Sequence, residues 1–388
     1  MLPQAMNDSP IRARIHPRLN EIPREDWNAL VPGGDPFLRH EFLSAMEEHG
    51  CVGEHFGWIP CHLGVYEGQG LVAAMPLYLK RNSYGEFVFD HAWEEAWQRV
   101  GLSYFPKLVS AIPYTPATGA RLLCAPGREP ALYPLLYSAA LALAEEHSAS
   151  GIHWLFPRQA ELDFLLAQGL VSRQDCQFHW RNPGYGDFDD FLSRLSARKR
   201  KNIRRERRKV REAGVTLRRL NGHTATARDW KDFARFYNRL FEEKWGMATF
   251  NEAFFRDVAA AMPDQVLLVL ADLRGECIAG ALMYASDTRL YGRHWGSMVD
   301  IDSLHFEACY YQGIEYCIEH GLQVFEPGAQ GEHKVARGFE PVATASAHWI
   351  AVEGFREPIQ RFARMEARSV AAYIEAMKRQ SPYRQDRT

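Results

Sequence analysis

Cysteine is scarce and unpaired in this sequence. Seven stand among 388 residues, at Cys51, Cys61, Cys124, Cys176, Cys277, Cys309 and Cys317, an odd number with no CxxC pair. That excludes a disulfide scaffold and fits a reducing compartment, so a cytoplasmic location is expected. No run approaches the roughly 18 apolar residues of a membrane span, and the opening MLPQAMNDSPIRARIH lacks the apolar core of a signal peptide. The phosphate loop GxxxxGKS/T, a GxGxxG after a strand, HExxH and GxSxG are all missing. Fifteen histidines show no zinc-like spacing, so no metal is expected. Forty-six Lys and Arg against 48 Asp and Glu leave a net charge near −2, which excludes a general nucleic-acid-coating protein.

What is present is length for two domains, each with its own core, and one strongly basic stretch at 193–220, SRLSARKRKNIRRERRKVREAGVTLRRL. Between Arg198 and Arg211, ten of fourteen residues are Lys or Arg, and only Glu206 answers them. Leu192, Leu195, Ile203 and Val210 form an apolar stripe, so one long amphipathic helix is expected, capped at Gly214 and followed by a strand. Like charges three or four residues apart repel, and an anionic partner would relieve them. The alternative is a solvated face with about eight charges of one sign uncompensated.

On either side of this helix the chain repeats itself. The first half reads as a short strand in 11–20, helices at 24–30 and 36–49, a hairpin of 62–66 with 71–80 around EGQG, an aromatic and proline-rich stretch at 84–126, a helix at 133–147 and a strand at 152–156. The second half reads as helices at 227–244 and 251–262, a hairpin of 266–272 with 277–285, a strand at 289–296, a helix at 304–320 and a strand at 322–326. GLVSRQDCQFHW (169–180) aligns without gaps on GFEPVATASAHW (338–349), and Pro157 and Pro327 each follow the last strand before them. His179 and His348, equivalent in that alignment, read as strand residues. The copies differ between Pro and Gly: RQAELDFLLAQ in the first is a packing helix, whereas GAQGEHKVAR in the second is small, polar and charged. The second copy therefore reads as the one that kept chemistry.

The order of elements resembles the GNAT acyltransferase fold, present twice. LSARKRKNIRRERRKVREAGVTLRRL, RLYGRHWGS, VFEPGAQGEHK and RGFEP resemble motifs of the FemAB-like branch, akin to the peptidoglycan FemAB-type aminoacyltransferases, over about residues 25 to 380. The resemblance implies an α/β (α+β) fold of two tandem GNAT-like units, 1–182 and 183–388, each a mixed sheet flanked by helices. It also implies an N-acyltransferase that moves an acyl or aminoacyl group from an activated carrier to an amine. The carrier would be aminoacyl-tRNA or acyl-coenzyme A, with no tightly bound cofactor. GNAT enzymes hold the diphosphate of coenzyme A on a glycine-bearing loop at a helix start. The equivalent SMVDIDSLHF has no such glycines and carries Asp300 and Asp302, which argues against coenzyme A.

Such a reaction needs a deprotonated amine, a stabilised oxyanion and a held carrier. The candidates are Glu332, His333 and Lys334 with Glu326 and Gln330 upstream. Lys334 would hold developing negative charge or a phosphate; His333 or Glu326 would take the amine proton or orient a neighbour. Arg293 and Trp295 lie on the strand flanking the donor, with Trp295 open between core and contact. His305, Glu307 and Tyr311 open the next helix. Arg198, Lys199, Arg200, Lys201, Arg204 and Arg205 are candidate phosphate ligands. Residues 104–107 and 113–119 either wall an acceptor cleft or pack on the first sheet. The alternative function is a non-catalytic RNA- or nucleotide-binding protein on the same fold.

Overall fold

A computed structural model describes residues 11–243, 246–329 and 331–384. Four strands form a small antiparallel sheet, in the order β1 (Ile11–His16), β3 (His62–Glu67), β4 (Gly70–Met75) and β7 (Leu123–Cys124). The other eleven strands among the described residues form one continuous sheet. Its first-copy arm comprises β2 (Trp58–Pro60), β5 (Tyr78–Lys80), β6 (Lys107–Ser110) and β8 (Gly151–Leu155). The second-copy arm runs β10 (Val215–Leu220), β11 (Val266–Leu273), β12 (Glu276–Ala285), β13 (Arg289–Ser297) and β14 (Val324–Glu326). Between the arms lie β9 (Val171–Arg181) and β15 (Glu340–Ile350).

The centre of this sheet explains the repeat. β9 and β15 pair antiparallel with Asp175 opposite Thr344, and those two residues occupy the same position of the aligned copies. The ladder is therefore symmetric about that pair, as a pseudo-two-fold axis requires. The copies have also exchanged final strands: β9 pairs with β14 of the second copy, and β15 with β8 of the first. The change of copy at residue 182 is thus not a break in the sheet. The expected first hairpin is present but kinked. Pro76, which cannot donate to a ladder, splits the expected second arm: β4 pairs with β3 in the small sheet, and β5 joins the large one.

Among the helices, α1 (His91–Arg99) lies inside the aromatic stretch, where none was expected; it buries Trp93 and Trp97. The basic helix is shorter than its pattern. It breaks at Leu195 and Ser196, both extended, leaving Phe188–Arg194 and α2 (Ala197–Glu212). The cause is the C-terminal tail, which takes up the backbone there: Leu195 bridges to Tyr383, and the Ser196 N–H donates to the Pro382 carbonyl. Gly214 ends α2 as expected, at φ +79°. α3 (Ala227–Glu243) follows, and the expected end at Lys244 lies outside the described residues. The expected helix at 304–320 contains a π-helical stretch, Glu307–Tyr311, before α4 (Gln312–Glu319). The longest helix, α5 (Glu353–Lys378), has no counterpart in the expectation; it buries Ile359, Ala363, Ile374 and Met377.

One core runs through both copies. Phe37 of the first meets Tyr284 and Tyr291 of the second edge-on, with centroids 5.5 and 5.0 Å apart. Residues 1–182 and 183–388 produced separately are therefore expected to lack a cooperative melt in circular dichroism, each missing its neighbour's final strand. Produced together, they should elute as one complex in size-exclusion chromatography; two independently folded halves would refute the exchanged arrangement.

Candidate functional site

β13 and β14 run parallel for three residues, ending at Tyr291 opposite Glu326, and then part. Just beyond, β13 carries a bulge against β12: His294 faces Leu282 but Gly292 faces Met283, so Arg293 is the extra residue. Bulges re-aim side chains. Here the bulge sends Arg293 across to the first copy, where its guanidinium donates to the Tyr114 carbonyl and lies 3.4 Å from the Thr115 hydroxyl. Burial pulls the Arg293 pKa down to about 10. At Gly292 a Cβ would come within 3.2 Å of the Pro327 Cα, so glycine lets the two strands approach where the fork begins.

Past the fork, Trp295 and His305 line a cavity of about 270 Å³ with Ser297, Met298, Asp300 and Leu304. Their rings meet edge-on at 5.4 Å. His305 continues the contact to Tyr310 at 5.3 Å and to His333 at 6.4 Å. Burial, reinforced by His333 and Lys334, lowers the His305 pKa to about 4. His333 is hydrogen-bonded through Nε2 to the Tyr310 hydroxyl at 2.9 Å, and burial lowers its pKa as well. Both imidazoles are therefore neutral near pH 7.

His333 and Lys334 belong to a 3-10 turn, Glu332–Arg337, bracketed by Gly331 and Gly338 at φ +115° and +96°. Lys334 is 2 % exposed and donates to the Gly328 carbonyl at 2.7 Å; desolvation lowers its pKa to about 8. Glu332, in contrast, is exposed and accepts from the Tyr373 hydroxyl at 2.8 Å. Gln330 lies outside the described residues. Glu326, on β14, accepts from Arg289 at 2.6 Å through one oxygen; the other has no hydrogen-bond partner among the described residues and lies 3.8 Å from His179 Nε2. Burial raises the Glu326 pKa to about 7 against the opposing pull of Arg289. His179 is lowered to about 3 by burial and by Arg289.

The turn is held from below by Arg337. Its guanidinium bonds both oxygens of Glu206, at 2.8 and 3.2 Å, as well as the Tyr311 hydroxyl at 3.1 Å and the His333 carbonyl at 2.8 Å. It also stacks over the Phe306 ring at 3.4 Å. This corrects three expectations. Glu206, the lone acid of the basic stretch, answers Arg337 and none of the Lys or Arg of its own helix, where it accepts only from Asn202 at 3.1 Å among the described residues. Tyr311 donates to Glu206 and does not reach the cavity. Glu307 is buried and binds Arg207 through both oxygens, at 3.0 and 3.1 Å, so it is a clasp for α2 and not a donor contact.

α2 is also less bare than its composition implies. Arg204 pairs with Asp189 at 2.8 Å, Lys209 with Asp302 at 2.5 Å, and Arg207 with Glu315 at 2.6 Å besides Glu307. Carboxylates from other elements thus supply part of the compensation that the local sequence lacks. Arg200 donates weakly to the Leu195 carbonyl and Arg205 to Asn202. Arg198, Lys199 and Lys201 have no carboxylate partner among the described residues, and Arg198 and Lys201 are exposed. In the first copy, Glu86, Asp90 and His153 converge within 4.8 Å, but the Lys107 ammonium already bonds both carboxylates. Sequence reasoning missed Tyr310, Arg337 and His294. His294 sits beside the bulge, ringed by Tyr237, Phe250 and Phe255, with no hydrogen-bond partner among the described residues.

A family model described as FemAB-like, peptidoglycan biosynthesis/recognition, matches residues 18–385. Among solved structures, FemX is similar at 14% identity over 90% of this chain and 100% of its own, with a TM-score of 0.55. L-PGS from Bacillus licheniformis is similar at 10% identity over 89% and 97%, with a TM-score of 0.50. A tandem GNAT protein from the clavulanic acid biosynthesis pathway aligns at 11% identity over 88% and 99%, with a TM-score of 0.45. At these identities the first two speak for the fold. No curated protein matches the sequence.

Replacing Glu206 by alanine strands the Arg337 charge in the interior, and the loss expected is about 3–5 kcal/mol in urea unfolding; a loss below about 1 kcal/mol would show the anchor to be dispensable. Glu326 supplies a pH signature. Its folded pKa of about 7 lies above the ordinary 4.5, so between those values the folded chain keeps a proton that the unfolded chain has released. Stability from this group is full below pH 4.5 and is lost as pH rises through 7. Glu326→Gln should therefore match the parent near pH 4 and exceed it at pH 8 by up to about 3 kcal/mol. Urea melts at the two pH values check this, and an equal difference at both would exclude it.

Proposed function

The chain belongs to the FemAB-like family, and from that premise we propose that it transfers an acyl or aminoacyl group from an activated anionic carrier to an amine, at one site in the second copy. The observation that carries this reading is the fork of β13 and β14, with a buried ammonium at its side and a cavity behind it. A lysine buried on a single carbonyl is costly to keep charged, and a developing oxyanion or a phosphate would supply the missing countercharge.

The roles follow from the side each group faces. The donor enters by the cavity of Trp295 and His305. The amine comes from the side of the first copy, which Arg293 touches. Glu326 has a free oxygen, lies at the fork and has a pKa near 7, so it takes the proton as nitrogen attacks the carbonyl carbon. Lys334 balances charge on the oxyanion, the bond to the carrier breaks, and the proton passes to the leaving group. Neutral His333, steadied by Tyr310, orients the donor.

Asp300 at the cavity and Asp302 beside it oppose a diphosphate there, and Arg198, Lys199 and Lys201 on α2 offer a polynucleotide its phosphate contacts. The reading therefore favours aminoacyl-tRNA over acyl-coenzyme A as donor, a peptide-like acceptor related to peptidoglycan, and a cytoplasmic setting. The same unpaired cations support a second reading, a non-catalytic RNA- or nucleotide-binding protein.

Mass spectrometry of RNA and small molecules copurifying with the protein identifies the carrier. With that carrier, Lys334→Ala and His333→Ala should each cut turnover by at least about 100-fold. Lys334→Ala should not lower the melting temperature, because its folded pKa of about 8 makes the ammonium a burden at neutral pH. RNA retained by the parent and lost on replacing Arg198, Lys199 and Lys201 with glutamine, with no turnover of the copurified carrier, would select the binding reading.

A further inference from the structure

The helix α5 has an outward face that no part of the reaction above uses. Its inward side buries Ile359, Ala363, Ile374 and Met377. At 100° per residue, the opposite stripe over 361–372 carries Arg361, Arg364, Met365 and Arg368, with Phe362 on its flank toward Glu366. Phe362 is 39 % exposed and Met365 56 %. Phe89, 63 % exposed, stands beside Phe362, and the two line one cavity of about 280 Å³.

Between 361 and 372 the charge on this face is of one sign, with Glu357 before it and Glu375, paired with Lys378, after it. Glu366 is turned inward, where both its oxygens bind Arg173 at 2.8 and 2.6 Å. Glu357, one turn earlier, is engaged by Arg361 at 2.8 Å. Arg364 and Arg368 have no carboxylate partner among the described residues, and no acid shares their face between 361 and 372. Large apolar side chains left in water cost free energy, and clustered guanidinium groups repel one another. A planar, anionic surface with an apolar interior relieves both at once. Long arginines reach headgroup phosphates while the phenylalanines and the methionine enter the acyl boundary.

We propose that this face of α5, with Phe89, is a docking surface for an anionic lipid bilayer. The helix lies on the membrane plane and does not cross it; no described helix is long and apolar enough to span. The proposal is independent of the transferase reading, since none of its residues belongs to the fork, the cavity or α2.

Flotation of the full chain with vesicles tests it. Vesicles of phosphatidylglycerol and phosphatidylcholine in equal parts should carry the protein up the gradient, and vesicles of phosphatidylcholine alone should carry about tenfold less. R361Q/R364Q/R368Q should lose the preference for phosphatidylglycerol, and F362S/M365S should reduce flotation with both compositions. Both variants change exposed side chains and should melt with the parent. Glutamine at Arg198, Lys199 and Lys201 should leave flotation unchanged. A parent protein that stays with the soluble fraction overturns the proposal, as does flotation unaffected by the α5 changes or abolished by those on α2. Loss of binding to a single-stranded RNA oligonucleotide in R361Q/R364Q/R368Q, with no vesicle binding by the parent, would mark the face as a nucleic-acid surface instead.

Discussion

The buried pairing of Arg337 with Glu206 is the constraint on which the rest of the second copy depends. It ties α2 to the turn that carries His333 and Lys334, and it does so through both oxygens of the carboxylate. Tyr311 shares the same carboxylate, so the π-helical stretch is fastened at the same point. A buried pair of this kind is poor evidence of net stability, since desolvation offsets most of the attraction. Its effect is positional. With Arg337 bonded to the His333 carbonyl and stacked on Phe306, the turn has one available arrangement, and Lys334 is left facing a lone carbonyl.

The symmetry of the sheet shows how one ladder geometry came to serve two ends. In the first copy β6 and β8 run parallel with Val109 opposite His153, as β13 and β14 do with Tyr291 opposite Glu326. Lys107 and Arg289, two residues earlier on their strands, occupy matching places. In the first copy the basic group is sealed: Glu86 and Asp90 neutralise it, and α1, which begins beside Asp90, buries Trp93 and Trp97 nearby. In the second, Arg289 reaches one oxygen of Glu326, and the strands part immediately afterwards. An inserted aromatic segment closes one fork and leaves the other open.

The basic helix shows why composition overstates a charged surface. Arg207 and Lys209 are committed to carboxylates from the segments around 302–315, and Arg207 also lies over the Phe188 ring at 4.5 Å. These contacts orient α2 against its own domain. Among the described residues, cations without a carboxylate partner remain at both ends of α2, with Arg198, Lys199 and Lys201 in its first turns and Arg211 in its last.

Local patterns by themselves determined the repeat, the GNAT-like order of elements, Gly214 as a stop and the hairpin of β11 and β12, because each rests on spacing along the chain: apolar periodicity, turn residues and an ungapped self-alignment. That the segment from Gly328 to Arg337 is no packing helix was likewise legible from its small and polar composition, and its Glu332–Arg337 part folds as a 3-10 turn. Tertiary structure alone decided the rest. The exchange of β9 and β15 depends on an axis between copies, which no local pattern encodes. The break at Leu195 comes from a tail nearly two hundred residues away. Whether Glu206, Glu307 and Tyr311 face a ligand or a partner turns on which distant arginine arrives first. Charge and shape are written in the sequence, but what neutralises a charge is set by distances in space, and only the fold supplies those.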